Sequence, residues 1–342
     1  MKVRIQDIAE KAGVSSATVS NALNGKGGVG ESRLRQILSI AREMGYVTDR
    51  APQAHKGYIR LVIFKRHGLV VMDTQFFAEM LEGITREARQ CGYELLMTHI
   101  HMEKDQDYLE RIQEICSEEC AGIILLATEM FSEDVRLFLN TKSPLLVLDS
   151  LFRNEQLNCV VMNNYEAGFL AASRLIAMGH EHIEHVTASV RFNNMRYRRE
   201  GFEAAMQENH LALPPHFLWR VTPTVEGSYR DMLMLLDKRK EPLPTAFFIA
   251  NDVMALGCVR ALKENGIRIP QDISIIGMDD LDICMVSNPP LSTIRVYRED
   301  ISRIAVQRLV AMMDQANPRS VQKIEVSVML MDRQSIRDLN MN

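Results

Sequence analysis

Residues 5–24 read IQDIAEKAGVSSATVSNALN. Ile5, Ile8 and Ala9, then Val14, Val19 and Leu23, recur at helical spacing on two short segments that break at Gly13. The pattern predicts a helix, a tight turn and a second helix. Gly13 supplies the permissive backbone for the turn, and Ser15 stands where a side-chain oxygen can cap the orphan amides of a helix beginning near Ser16. With Val19 and Leu23 facing inward, Ser16, Ala17, Thr18, Ser20 and Asn21 are left on the outer face. These are small polar groups able to approach a base edge.

Working outward, GKGGVG at 25–30 has the glycines of a phosphate-binding loop of the partition-ATPase kind. That chemistry needs a lysine after the last glycine and a strand before the loop; this chain has Glu31 there and a helix before it. The run therefore reads as the connection to a third helix, ESRLRQILSIAREMGY, whose Arg33 and Arg35 can reach phosphate. The polar stretch VTDRAPQAHKGY, with Pro52 and Gly57, reads as a linker.

Beyond the linker, short apolar runs alternate with amphipathic segments. IRLVIF (59–64), ELLMTH (94–99), GIILLA (122–127), LLVLD (145–149) and CVVM (159–162) read as strands buried on both faces, with helices at 76–90, 107–119 and 132–140 between them. A second cycle follows: helices at 165–178, 195–209, 227–237 and 252–264, and strands at 183–188, 217–221, 246–250 and 273–277. This is the signature of an α/β chain with two doubly wound parallel sheets, one per lobe.

The residues quoted from the first fifty, together with VVMNNYEAGFLAASRLIAMGHEHIEHVTA (160–188) and the later RREGFEAAM, FFIANDVMALG, RIPQDISIIGMDDL, PPLSTIRV and MDRQS, resemble the lac repressor (LacI/GalR) family of bacterial transcription regulators nearly end to end. The resemblance implies a three-helix helix-turn-helix headpiece (1–47), a linker or hinge (48–58) and a two-lobed effector-binding domain (59–342) like that of periplasmic sugar-binding proteins. The first lobe is expected to hold about 59–160 and 292–318, with STIRV (292–296) and the helix from Arg298 returning to it. The second is expected to hold about 161–291 and 319–335, the tail strand near 324–330 included.

The resemblance also implies a sequence-specific repressor and not an enzyme. Its partners would be double-stranded operator DNA, a small carbohydrate effector and a second copy of the chain, because one headpiece reads half a site. No cofactor or metal is implied. Base reading falls on Ser16, Ala17 and Asn21, with Thr18, Ser20, Arg33 and Arg50 beside the DNA. Effector contacts fall on Asp149, Arg198, Asn251 and Asp279, with Asn194, and with Phe76 and Phe77 against the ligand ring. The carboxylates, amide and guanidinium among them suit a polyhydroxylated ligand, and strand ends are where open parallel sheets bind. Asp252 and Asp280 are expected only to cap the helices that follow. Two departures stand out: the family's opening of the third helix is replaced by Gly30, Glu31, Ser32, Arg33 and Leu34, and the hinge leucine that would wedge into the minor groove is missing, which shifts weight to Arg50, His55 and Lys56.

Composition fits this organisation. Residues 1–50 carry eight Lys and Arg against five Asp and Glu, or +3, so the remainder carries −7 to give the net −4. A basic piece can displace counterions from phosphate while an acidic body discourages indiscriminate binding. No apolar run approaches a membrane span and the N-terminus has no secretory pattern, so a cytoplasmic protein is expected, unlike a free-standing solute-binding protein. Six cysteines (91, 116, 120, 159, 258, 284) read as buried thiols, and His99, His101, His180, His182 and His185 as structural or solvated rather than metal-binding.

Overall fold

The computed structural model describes residues 3–23, 29–44, 56–71, 74–314 and 320–341. The chain divides into two compact units, 1–55 and 56–342, with the division inside the expected linker. Arg50, His55 and most of the Gly-rich run lie outside the described residues.

The first unit is the expected headpiece: α1 (Ile5–Ala12), α2 (Ser16–Leu23) and α3 (Glu31–Glu43). Gly13 adopts the left-handed conformation (φ 64°), and Val14 N–H closes back on the Ala9 carbonyl, so the turn is a helix C-cap. Ser15 Oγ accepts from Thr18 N–H at 3.1 Å, which caps α2 as its sequence predicts. Ile8, Ala9, Ala12, Val19, Ala22, Ile37 and Ala41 form a separate small core.

The second unit opens with β1 (Tyr58–Lys65), α4 (Gln75–Gln90), β2 (Glu94–His101), α5 (Tyr108–Ser117), β3 (Gly122–Leu126), α6 (Ser132–Arg136), β4 (Leu145–Leu148) and β5 (Asn158–Met162). It crosses to α7 (Asn164–Ala177), β6 (Ile183–Ala188), α8 (Asn193–Glu208), β7 (Leu218–Val221), α9 (Val225–Lys238), β8 (Ala246–Ile249), α10 (Asp252–Glu264), β9 (Ser274–Asp279), α11 (Ile283–Val286) and β10 (Ser292–Arg295). It ends with α12 (Arg298–Met313), β11 (Lys323–Val326) and β12 (Met329–Met331). The two six-stranded sheets run β11-β5-β4-β3-β1-β2 and β12-β10-β9-β8-β6-β7, parallel except for the β10–β12 pair. No helix among the described residues is long and apolar enough to cross a membrane.

Four expectations need correction. β10 does not return to the first lobe; it pairs with β9 in the second sheet, Ile294 opposite Met278. The chain crosses only afterwards, where α12 packs on α4 and Ser302 Oγ donates to the Met80 carbonyl at 3.0 Å. The tail then splits: β11 completes the first sheet beside β5, and β12 returns to the second beside β10. Apolar alternation makes a strand but does not say which sheet it joins. β2, read as doubly buried, is an edge strand with Leu96 42% and Met97 52% exposed. The helix expected over 132–140 stops at Arg136.

The second lobe depends on a backbone-to-backbone approach of α7 and α8. A Cβ on Gly168 would sit 1.9 Å from the Arg198 carbonyl, and one on Gly201 equally close to that of Tyr165. Gly168→Ala should therefore part the two helices and cost about 1–3 kcal/mol through overpacking. A urea midpoint unchanged from wild type would show that the approach is not required.

Candidate functional site

The carboxyl ends of the strands of both sheets face one another across a cavity of about 250 Å³. All seven residues expected there line it. Phe76 and Phe77 come from the first turn of α4, and Asp149 from the end of β4. Asn194 and Arg198 lie one turn apart on α8, Asn251 precedes α10, and Asp279 ends β9.

Arg198 is the centre. It is 4% exposed, its Nε donates to Asn164 Oδ1 at 2.9 Å, one terminal nitrogen to the Ala250 carbonyl at 2.5 Å, and the other lies 3.3 Å from Met162 Sδ. Burial lowers its pKa, while Asp279, Asp149 and Asp252 act in the opposite direction. A guanidinium has five N–H donors, so two remain for a ligand. Asp149 is 1% exposed and accepts from Thr128 Oγ1 at 2.6 Å; burial pushes its pKa up to about 6 against the pull of Thr128, Arg198 and Asn194. Asp279 is pushed up to about 8, by burial first and by Asp252 and Asp149, with Arg198 and Arg298 opposing.

Both aspartates are held at positive φ, 61° for Asp149 and 119° for Asp279. Such backbone costs of order 1–3 kcal/mol at a non-glycine residue and persists where its surroundings over-determine it.

Asn194 Nδ2 donates to the Asp149 carbonyl and carboxylate at 3.1 and 3.3 Å, whereas its buried Oδ1 has no partner among the described residues. An unsatisfied buried acceptor costs about 1–3 kcal/mol, which a donor on a bound molecule would recover. Phe76 and Phe77 meet edge to face, ring centres 5.1 Å apart, as the apolar wall. Asn251 lines the cavity and also caps α10, its Oδ1 accepting from Met254 N–H at 2.8 Å.

The capping roles given to Asp252 and Asp280 are therefore wrong. Asp252 accepts from Thr293 Oγ1 at 2.7 Å and Leu281 N–H at 3.1 Å, tying strand ends together, and Asp280 is clamped between Arg295 and Arg333 at 2.6 and 2.5 Å. His185 is stacked between Phe202 and Phe248, with burial lowering its pKa to about 3, and His180 bridges Thr245 and the Arg337 carbonyl. Both are structural.

Sequence reasoning missed several lining residues, among them Thr128, Met162, Phe192 and Thr224. The strand-end rule that found Asp149 would have found Thr128, two residues past β3. It also missed Glu129, fully buried, which accepts five backbone N–H groups: Arg66, His67 and Gly68 on one oxygen, Val70 and Val71 on the other. Burial pushes the Glu129 carboxyl up, but the amide bonds outweigh it and leave the pKa lowered. The loop so held presents Val70 to the cavity.

In the headpiece, Ser16, Ala17 and Asn21 are exposed along α2, while Thr18 and Ser20 are half-buried. The Thr18 hydroxyl is engaged by Ser15 at 2.8 Å. Arg33 is exposed and one terminal nitrogen lies 3.5 Å from the Gly13 carbonyl.

A helix-turn-helix unit joined to a two-lobed domain with its cavity at facing strand ends defines a ligand-binding DNA regulator. The chain matches the family of bacterial regulatory proteins, lacI family, over residues 4–49, and the periplasmic binding protein-like domain over 172–336. It is 30% identical over 340 residues to the HTH-type transcriptional repressor PurR of Pasteurella multocida, covering 97% of this chain and 98% of the relative. Similar solved structures include a transcriptional regulator CelR–cellobiose complex (21% identity, TM-score 0.72) and the lac repressor dimer bound to operator and the anti-inducer ONPF (22%, TM-score 0.71). Each alignment covers 98% of this chain and all of that one. The chain belongs to the LacI family and is a DNA-binding transcriptional repressor, not an enzyme.

The buried aspartates carry a pH signature. An acid whose folded pKa is raised keeps its proton where the unfolded chain has lost it, so its stabilising contribution is full below its ordinary pKa near 3.8 and is lost as pH rises through about 8 for Asp279. Stability from this group should fall across that window. Asp279→Asn should remove the decline above about pH 6, leaving the part below it from Asp149 and Asp252, whose pKa values burial raises to about 6. Urea midpoints measured between about pH 5 and pH 8.5 check this, and identical slopes for variant and wild type would refute it.

Proposed function

We propose that operator affinity in this repressor is set by a small neutral polyhydroxylated molecule, a carbohydrate, held between the lobes. The observation that carries the reading is the buried Arg198 in one cavity with Asp149, Asp279 and the unpartnered Asn194 Oδ1. Vicinal hydroxyls can accept from the guanidinium and donate to the carboxyl and amide oxygens, while the Phe76–Phe77 wall packs against a ring face. The cavity of about 250 Å³ has room for a small sugar. The cellobiose of the CelR complex supports the same class.

A second reading rests on the three phenylalanines, Phe76, Phe77 and Phe192, around the cavity: a planar heteroaromatic ligand stacked among them. A thermal-shift comparison of monosaccharides with nucleobases separates the two, since a ligand at 100 times its Kd adds about 2.7 kcal/mol to the folded state. Shifts from nucleobases alone would replace the first reading by the second.

Arg198→Ala should weaken effector binding roughly ten- to hundredfold, the worth of one or two hydrogen bonds to a charged group. Operator binding should persist, because the headpiece is a separate unit with its own core. Normal effector response in that variant would refute the assignment.

For DNA, we assign base reading to Ser16, Ala17 and Asn21, which share the exposed face of α2. Thr18 and Ser20 support that face, with Arg33 and Arg50 beside the phosphates. Asparagine can pair with adenine through N6 and N7, so Asn21→Ala should cost about 1–3 kcal/mol of discrimination at one base pair and leave the salt slope unchanged. Equal losses on every single-base operator variant would exclude direct reading.

One headpiece reads half a site, so the acting species is a cytoplasmic homodimer on a near-palindrome. Light scattering that finds only monomer, free and on operator, would overturn this.

A further inference from the structure

We propose that a second cavity in the effector domain binds the phosphoryl group of a small anionic metabolite, at a site separate from the one between Arg198 and the aspartates. This cavity, about 340 Å³, lies across a wall made by Phe192 and Met195, which line both spaces. Where the first is mainly apolar, the second is mainly polar. It opens at the carboxyl ends of β6 and β7 and at the start of α8, with Phe131, Ser132 and Glu133 of the first lobe on its far side.

Its character is set by four arginines. Arg191 comes from the loop after β6, Arg196 and Arg199 from α8, and Arg220 from β7, where it stands opposite Thr187 in the register. Glu133 is the one carboxylate among the lining residues described, and it lies 3.4 Å from Arg66. Arg196 lies over Tyr197, donates to its hydroxyl at 2.7 Å and is 3.5 Å from Glu200; Arg199 is 3.3 Å from Glu203. Arg191 and Arg220 are exposed and have no hydrogen-bond or ion-pair partner among the described residues.

Like charges gathered round a concavity repel one another, and a bound anion relieves that repulsion. The α8 terminus adds to the field. Phe192 occupies its N-cap and offers no side-chain acceptor, so the start of this sixteen-residue helix, which borders the cavity through Asn193 and Arg196, carries no side-chain cap.

A phosphoryl group fits better than a single carboxylate. It brings up to two negative charges and three acceptor oxygens, any two of which can pair with a guanidinium fork. The helical offset explains how one element serves two sites: Asn194 and Arg198 face the first cavity, while Asn193, Arg196 and Arg199 face the second. An anion there would touch both lobes and load the helix that carries Arg198.

The test is isothermal titration calorimetry of the full-length protein with inorganic pyrophosphate at constant ionic strength. Saturable binding of one pyrophosphate per chain is expected. Arg191→Ala and Arg220→Ala, both at exposed positions, should each weaken it about tenfold or more, whereas Arg198→Ala should leave it in place. The proposal is overturned if no saturable binding appears at millimolar pyrophosphate, or if binding is undiminished in the Arg191→Ala, Arg220→Ala double variant. It is also overturned if Arg198→Ala abolishes binding, which would move the anion to the first cavity, or if malonate binds as tightly, which would remove the phosphoryl preference.

Discussion

A guanidinium taken out of water at the seam between two sheets has to be met by acceptors on every side, and the effector domain is arranged to supply them for Arg198. Asn164 and the Ala250 carbonyl hold it from the second lobe, and Met162 from the end of the first sheet. Asp149 and Asp279, one from each lobe, face it across the cavity. An uncompensated buried charge would cost several kcal/mol, and these partners offset that cost for the guanidinium. The positive φ of both aspartates fits this demand, because the backbone is bent to bring each carboxyl to the cavity.

The helix that carries Arg198 is also placed by close backbone packing against α7. Gly168 and Gly201 let α7 and α8 touch backbone to backbone, which fixes the depth at which the arginine enters the seam. On the first-lobe side the corresponding constraint is Glu129, whose five amide bonds gather the loop after β1 around one carboxylate. Thr128, its neighbour, holds Asp149. Two adjacent residues thus organise the ligand-facing carboxyl and the loop beside it. Arg298 joins the lobes at the cavity edge, donating to Glu79 at 2.6 Å on the first-lobe side and to the Asp279 carbonyl at 2.5 Å in the second.

The headpiece and the effector domain divide the labour of recognition by how much surface each buries. The headpiece core is a handful of aliphatic residues around Ile8, Val19 and Ile37, enough to present one helix face. The two-sheet domain has a core large enough to bury Arg198 and three aspartates, and with them the dry setting in which a few hydrogen bonds can discriminate ligands.

By itself the sequence determined what is local. Helix periodicity, the Gly13 break and the Ser15 cap specified α1 and α2, because capping and turn chemistry act within a few residues. The strand-end rule and the family resemblance together brought seven residues to one cavity, because parallel sheets expose their carboxyl ends on one edge. What only the tertiary structure decided depends on partners distant in the chain. β10 and β11 were assigned to the wrong sheets, since their apolar patterns suit either sheet and hydrogen-bond pairing chooses between them, whereas β12 joins the second sheet as expected. Nothing in the sequence near Glu129 sets it apart, and only the loop folded over it shows why it is buried. The cap of α10 fell to Asn251, which also lines the cavity, for the same reason: either residue could cap the helix, and the proximity of Thr293 and Leu281 drew Asp252 into the strand ends.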